Sequence, residues 1–139
     1  MSSPSIEDYL KAIYYLGRGE PVSTQAIADR LEVTPAAVSK MLRTLSRDNL
    51  VQHRKYYGVR LTSKGERIAE QMVRHHRLLE RYLVEHLGFD PDHVHEEAEI
   101  LEHHISERFE DRIAELMGHP TECPHGSPIP PKRKHENAR

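Results

Sequence analysis

A single cysteine, Cys123, stands in a chain of 139 residues. That excludes an intramolecular disulfide framework, agrees with a reducing compartment and leaves one thiol for metal or redox chemistry. No apolar run approaches the ~18–20 residues of a membrane span. The first residues, MSSPSIEDYLK, lack the basic start and apolar stretch of a signal peptide. A cytoplasmic protein without a membrane partner is therefore expected. Hydrophobic residues make up only 37% of the chain, so the core will be lean, and the length fits one compact domain or two small ones sharing a core. Internal repeats are absent from the sequence.

Net charge is close to balance at −2, but the two halves differ. Residues 1–64 carry ten Lys/Arg against six Asp/Glu, whereas residues 65–139 carry ten against sixteen. The basic half suits a polyanion and the acidic half suits cations. Histidine follows the acidic half: of 11 His, only His53 precedes residue 75. That is a biased placement for the side chain that most often ligates transition metals.

The richest stretch in that half is HEEAEILEHHIS, His95 to Ser106. In a helix Glu99, Glu102 and His103 stand at i, i+3 and i+4 on one face, with His95 a turn earlier, while Ile100, Leu101 and Ile105 offer apolar anchoring on the other faces. Taken alone, these residues read equally well as half a metal site or as a solvated acidic helix.

In chain order, a helix is expected over Ser5–Leu16, closed by GRGEP, and a short one over Thr24–Leu31 capped by Ser23. A third is expected over Pro35–Asn49, with Thr34 as cap and Pro35 where a first-turn proline is tolerated. Two helices joined by so short a turn form a helix-turn-helix. Strands over Leu50–His53 and Val59–Thr62, joined by RKYYG, add a basic hairpin, which makes a winged helix. The third helix would offer Thr34, Pro35, Ala36, Ala37, Ser39, Lys40 and Arg43 to a major groove. Arg47, Arg54, Lys55, Arg60 and Lys64 would meet the phosphates, with Tyr56 and Tyr57 at the wing.

One long helix then runs from Thr62 or Ser63 to a stop at Gly88, with Ile68, Met72, Leu79, Tyr82, Leu83 and Leu87 as its apolar stripe and His76 and Glu80 as a metal-competent i, i+4 pair. Asp90-Pro91 opens the acidic helix, which is expected to end near His104. A last helix, Glu107–Met117, capped by Ser106, turns Phe109, Ile113 and Leu116 inward. The last two helices suit pairing with a second subunit. The tail from Gly118 is Pro-rich and aperiodic, and its end is expected to be disordered.

The segments SIEDYLKAIYYL, VTPAAVSKMLRTLSRDNLV, GVRLTSKGERIAEQMVRHHRLLERYLVEHLG and EEAEILEHHIS, in that order, resemble the DtxR/MntR family of metal-dependent transcriptional repressors. The resemblance spans residues 4–117, and CPHGSPIP resembles the following segment of longer members. It implies a mainly α chain with a winged helix-turn-helix DNA-binding domain over 1–64, a helical dimerisation and metal-binding domain over 65–118 and a tail over 119–139. The form implied is the one without the C-terminal SH3-like domain of longer members. It further implies a non-enzymatic homodimer that binds a palindromic double-stranded operator when divalent metal is abundant and silences uptake genes.

The family pattern places the primary ligands at Asp8, Glu99, Glu102 and His103, the metal tying the two domains together. A second site falls on His76, Glu80 and His95, with Cys123 and His125 contributing in some longer members, and which of these five act together stays open. Lys11 stands where a manganese-sensing branch has glutamate, which favours two separated ions over a tight pair. Three carboxylates and an imidazole suit Mn2+, preferred, or Fe2+; Zn2+ and Co2+ are ions the set can also take in vitro, and Cys123 would pull the second site toward softer ions. Two other readings start from the same residues: a metal-independent winged-helix regulator with an organic effector, and a di-metal hydrolase.

Overall fold

Capping residues decide where the helices of the N-terminal half begin. In the computed structural model, which describes residues 4–132, α1 (Ile6–Gly17) starts at a capping box. Ser5 Oγ accepts from the Asp8 amide at 3.1 Å while Asp8 Oδ2 accepts from the Ser5 amide at 2.8 Å. Ser23 Oγ and Thr34 Oγ1 cap α2 (Thr24–Leu31) and α3 (Pro35–Arg47) by accepting from Ala26 N and Ala37 N. α3 ends two residues before the expected Asn49. Asn49 takes a left-handed conformation, φ 61°, and the Leu50 amide turns back to the Leu45 carbonyl at 2.8 Å.

Strands β1 (Val51–Arg54) and β2 (Gly58–Leu61) pair antiparallel with Val51 opposite Leu61 and His53 opposite Val59. Each lies one residue from its expected position. Thr62, expected in a strand, instead donates to Asn49 O and accepts from Gly65 N, which starts α4 (Ser63–Leu87). Val22 extends the hairpin by exchanging both backbone hydrogen bonds with Val59 at 2.8 Å.

The chain divides into two compact units, Met1–Glu70 and Gln71–Arg139. The first closes over Leu10, Ile13, Ile27, Val38, Leu42, Leu45 and Val59. Gly65 fits tightly into it, since a Cβ there would lie 2.1 Å from the Leu50 carbonyl oxygen. Gly65→Ala is accordingly expected to destabilise this unit by about 1–3 kcal/mol, because a backbone atom has to move. A urea midpoint equal to that of the unsubstituted chain would contradict the packing.

The second unit packs α4, α5 (Val94–Leu101) and α6 (Glu107–Leu116) around Leu78, Leu79, Leu83, Val94, Ala98, Ile113 and Ile129. α5 begins later than expected because Asp90 opens a turn: its carboxylate accepts from Asp92 N and its carbonyl from His93 N. The helix ends at Leu101, so Glu102 is its C-cap and His103 lies in the following turn. Four apolar residues expected inside are exposed, namely Leu87, Ile100, Phe109 and Leu116. On α6 the buried face carries Glu110, Ile113 and Ala114 instead, at i, i+3 and i+4. Glu110 is turned inward because Arg74 and His75 of α4 hold its carboxylate.

Residues 119–132 of the tail are packed as well. Cys123 and Ile129 are buried, Glu122 bridges to Pro128, and Lys132 Nζ donates to Asp111 Oδ1 at 2.6 Å. The disorder expected for the end of the tail concerns residues 133–139, outside the described residues.

Candidate metal centre and nucleic-acid interface

The buried stripe of the second part of α4 reads Met72, Val73, His76, Leu79, Glu80, Leu83. Helical periodicity calls for apolar side chains along that stripe, yet His76 is 4% and Glu80 3% exposed. Buried polar groups require partners, and α5 provides them. His76 Nδ1 faces Glu102 Oε1 at 2.5 Å, and Nε2 faces Glu80 Oε2 at 3.2 Å and His95 Nδ1 at 3.0 Å. Glu99 Oε1 lies 3.7 Å from His76 Nδ1 and 3.5 Å from His95 Nε2. Glu102, itself 1% exposed, has its other oxygen 3.7 Å from His103 Nε2.

On the opposite side Glu80 Oε1 lies 3.7 Å from His125 Nδ1, and Cys123 Sγ is 4.0 Å from the same nitrogen. Within the second unit, among the described residues, three sets of potential ligand atoms lie within 4.8 Å of one another: His76–Glu80–His95, Glu80–Cys123–His125 and His76–Glu99–Glu102. That span is close to twice a metal–ligand bond of about 2.0–2.2 Å, so the donors fit a divalent transition ion without long-range rearrangement. Glu80 is common to the first two sets, and His76 is common to the first and third. Glu99, expected beside Asp8, Glu102 and His103, is thus grouped with His76 and Glu102. Asp8 belongs to the first unit, where its carboxylate serves the capping box of α1.

Burial pulls the His76 imidazole down, but its hydrogen bonds to Glu102 and Glu80 outweigh that effect and lift it to about 9 from 6.5. Glu80 moves the other way: burial raises its carboxyl, and His76, His125 and His95 together bring it below the usual range. The Cys123 thiol is opposed by burial, yet the backbone amides of His125 and Ser127 and the His125 ring lower it, which favours the thiolate that metals bind.

For His76 the sign of the linkage is fixed by the folded value lying above the unfolded one. The stabilisation is complete below pH 6.5 and disappears as pH rises through about 9. In chelator, the metal-free chain is expected to lose on the order of 2–3 kcal/mol between pH 6 and 10 in urea titrations. The His76→Gln chain should lack that component, and equal slopes for the two would count against the assignment.

In the first unit, Thr34, Pro35, Ala36, Ala37, Lys40, Arg43 and Arg47 are exposed on or beside α3, and Ser39 is half-buried. The small side chains at the start of the helix leave its backbone approachable. On the hairpin Arg54, Lys55 and Arg60 are exposed, and Tyr56 and Tyr57 stand out at 92% and 72%. Arg54 lies 5.4 Å from the centre of the Tyr57 ring and Lys55 lies 5.2 Å from that of Tyr56, so each ring travels with a cation.

One set of functional side chains escapes periodicity altogether. Arg74, Arg77 and Arg81 of α4 each donate to a backbone carbonyl of the tail. Their i, i+3, i+7 spacing was visible, but nothing in the sequence pairs it with main-chain oxygens.

Known families match the chain in two consecutive stretches. Residues 1–59 match the family described as "Iron dependent repressor, N-terminal DNA binding domain". Residues 62–131 match "Iron dependent repressor, metal binding and dimerisation domain". The HTH-type transcriptional regulator MntR of Oceanobacillus iheyensis is 39% identical over 120 residues, 86% of this chain and 81% of that protein. Among solved structures, the manganese regulator SloR superposes with a TM-score of 0.81 at 43% identity, over 94% of this chain and 61% of the other. A manganese-dependent transcriptional repressor in complex with manganese gives 0.81 at 44% identity, over 90% and 58%. The chain thus spans about three fifths of the length of these two solved proteins. Matched along nearly its whole length by the two family descriptions, the chain belongs to the iron-dependent repressor family, the DtxR/MntR group of metal-dependent regulators.

Proposed function

We propose that the chain is a metal-activated transcriptional repressor that controls metal homeostasis and uptake genes from the cytoplasm. It binds a palindromic operator as a homodimer when Mn2+ or Fe2+ is abundant. The observation that carries this reading is the burial of His76, Glu80 and Glu102 at positions where packing alone would place apolar residues, with Glu99, His95, Cys123 and His125 around them. A folded chain retains such a costly cluster when something cationic is to be held there.

The primary set is Glu99, Glu102 and His103, to which the family pattern adds Asp8. His76, Glu80 and His95, with Cys123 and His125, form the second. A bound divalent ion supplies the positive charge that lets neighbouring carboxylates share one site. Carboxylate and imidazole donors favour Mn2+ or Fe2+, and the relatives named for manganese support Mn2+ as the first choice. A thiolate from Cys123 makes the second set softer and more receptive to Fe2+, Co2+ or Zn2+.

Recognition rests on α3 in the major groove, with Thr34, Pro35, Ala36, Ala37, Ser39, Lys40 and Arg43 at the bases or beside them. Arg47, Arg54, Lys55, Arg60 and the two wing tyrosines face the backbone. Leu87, Ile100, Phe109 and Leu116, exposed at the end of α4 and on α5 and α6, supply apolar surface for a second copy. No residue is given a catalytic role.

The test is operator binding by the full chain at fixed salt, first in chelator and then with Mn2+, Fe2+ or Zn2+ added. Tight binding only with metal is expected. Equal binding in chelator would overturn the reading, and metal-dependent hydrolysis of a phosphate ester would replace it with an enzymatic one.

A further inference from the structure

The tail beyond α6 carries Pro120, Pro124, Pro128, Pro130 and Pro131. Such a segment lacks many of the N–H groups that would zip it into a sheet, but keeps every carbonyl. Its own hydrogen bonds are few: Cys123 N to Ser127 O, Gly126 N to Cys123 O and Ile129 N to Thr121 O, at 2.8–3.0 Å. Even so, Cys123 and Ile129 are only 5% and 8% exposed.

What fastens the segment is a row on α4. Gln71 Nε2 donates to Pro131 O at 3.4 Å, Arg74 Nη1 to Pro130 O at 3.0 Å, Arg77 Nη1 to Pro128 O at 2.5 Å and Arg81 Nη1 to Glu122 O at 2.8 Å. The row climbs the helix as the segment runs back down it, so successive donors meet successive carbonyls. Glu80 belongs to the same helix, and the anchors at Glu122 and Pro128 bracket Cys123 and His125. His125 is further fixed through Nε2 to Pro91 O at 2.6 Å.

We propose that Arg77 and Arg81 are positioning residues that strap the tail to α4, so that Cys123 and His125 stand at Glu80 before any metal arrives. The inference rests on the reading of Glu80–Cys123–His125 as a metal set. It adds that the set is assembled by arginine–carbonyl contacts of this chain and not by the ion. Guanidinium is suited to the task because its fork stays charged and bonds an oxygen in a fixed direction, which an ammonium on a flexible stem does not reproduce. Because both lie at exposed positions, the two hydrogen bonds from these charged donors are together worth roughly a tenfold to hundredfold bias toward the docked segment.

The experiment uses the full chain with two probes. Iodoacetamide in chelator reads how often Cys123 is exposed, and Co2+ titration followed by the thiolate-to-cobalt charge-transfer band reads whether Cys123 reaches a metal. In the unsubstituted chain alkylation is slow, and the band appears and is lost in Cys123→Ser. In Arg77→Gln/Arg81→Gln, alkylation is expected to accelerate by about 10- to 100-fold, and the cobalt midpoint to rise by a similar factor. Mn2+ binding that depends on Glu102 should stay unchanged, which a general loss of structure would not allow.

Alkylation and cobalt midpoints equal to those of the unsubstituted chain overturn the strap. A chain that shows no cobalt band at all overturns the metal reading of Cys123, while the alkylation rates still decide the strap by themselves. Should the double variant fail to fold, Arg77→Lys provides the same two readouts, with a several-fold acceleration expected and none overturning the proposal.

Discussion

Replacing Glu102 by alanine is expected to lower metal-dependent operator affinity by about 5- to 150-fold, the range of a typical coupling between an effector and a distant ligand. The size follows from where the carboxylate sits. It is 1% exposed, one oxygen meets His76 Nδ1 at 2.5 Å, and the other lies 3.7 Å from His103 Nε2. Glu99 is a poorer partner for the same nitrogen, since it reaches His76 Nδ1 only at 3.7 Å and its side chain is 38% exposed. Alanine removes a ligand and also leaves a buried imidazole nitrogen without its acceptor, so part of the loss would be structural. Glu102→Gln separates the two effects by keeping the volume and one oxygen while removing the charge. The glutamine chain is therefore expected to fold normally, to bind Mn2+ weakly and to repress poorly. Anisotropy of a labelled operator at constant ionic strength is the measurement, because phosphate contacts make every such affinity salt-dependent. Retention of full Mn2+-dependent binding in Glu102→Gln would remove Glu102 from the metal centre.

The winged helix was legible because its signals are local. Ser23, Thr34 and Pro35 mark helix starts through groups that act within three residues, and the hairpin is announced by a glycine between two β-rich runs. The ligand-bearing residues were legible for a different reason, namely that carboxylates and imidazoles are scarce enough in helical register to stand out. Their grouping was less so. The family pattern places Glu99 with Asp8, Glu102 and His103; in the fold it also lies 3.5 Å from His95, its i, i+4 neighbour, and 3.7 Å from His76 of α4, and only the contact to α4 is beyond the reach of periodicity. Apolar periodicity misplaces the buried face where a charge is held inward. On α6 an apolar count selects Phe109 and Leu116, but Glu110 turns the helix by offering its carboxylate to Arg74 and His75. The packing of residues 119–132 has no sequence signal of its own: it depends on guanidinium groups meeting carbonyls some 40–60 residues away in sequence, and carbonyls carry no sequence signature.

That inward charge gives the second large effect. Glu110→Ala is expected to destabilise the second unit by about 3–5 kcal/mol, the cost of leaving a buried cation without its partner. Glu110 is 1% exposed, Arg74 Nε donates to its Oε2, and His75 Nε2 lies 2.7 Å from its Oε1. Burial alone would raise the Glu110 carboxyl, but His75 and Arg74 hold it below the ordinary 4.5. Because the folded value is the lower one, the stabilisation is present above that pH and is lost as acid brings the pH down through the folded value. The unsubstituted chain should therefore weaken steeply in acid, and the alanine chain, already without the pair, should weaken less. Replacing the pair as a unit, by Arg74→Met with Glu110→Leu, is expected to recover much of the loss, since a well-packed apolar pair avoids the desolvation of two charges. Recovery will be partial, because Arg74 also anchors the tail at Pro130. Urea titrations in chelator at pH 4 and pH 7 on the three chains check every step. A Glu110→Ala midpoint within 0.5 kcal/mol of the parent at pH 7, against the roughly 3–5 kcal/mol expected, would show that the carboxylate does not organise α6.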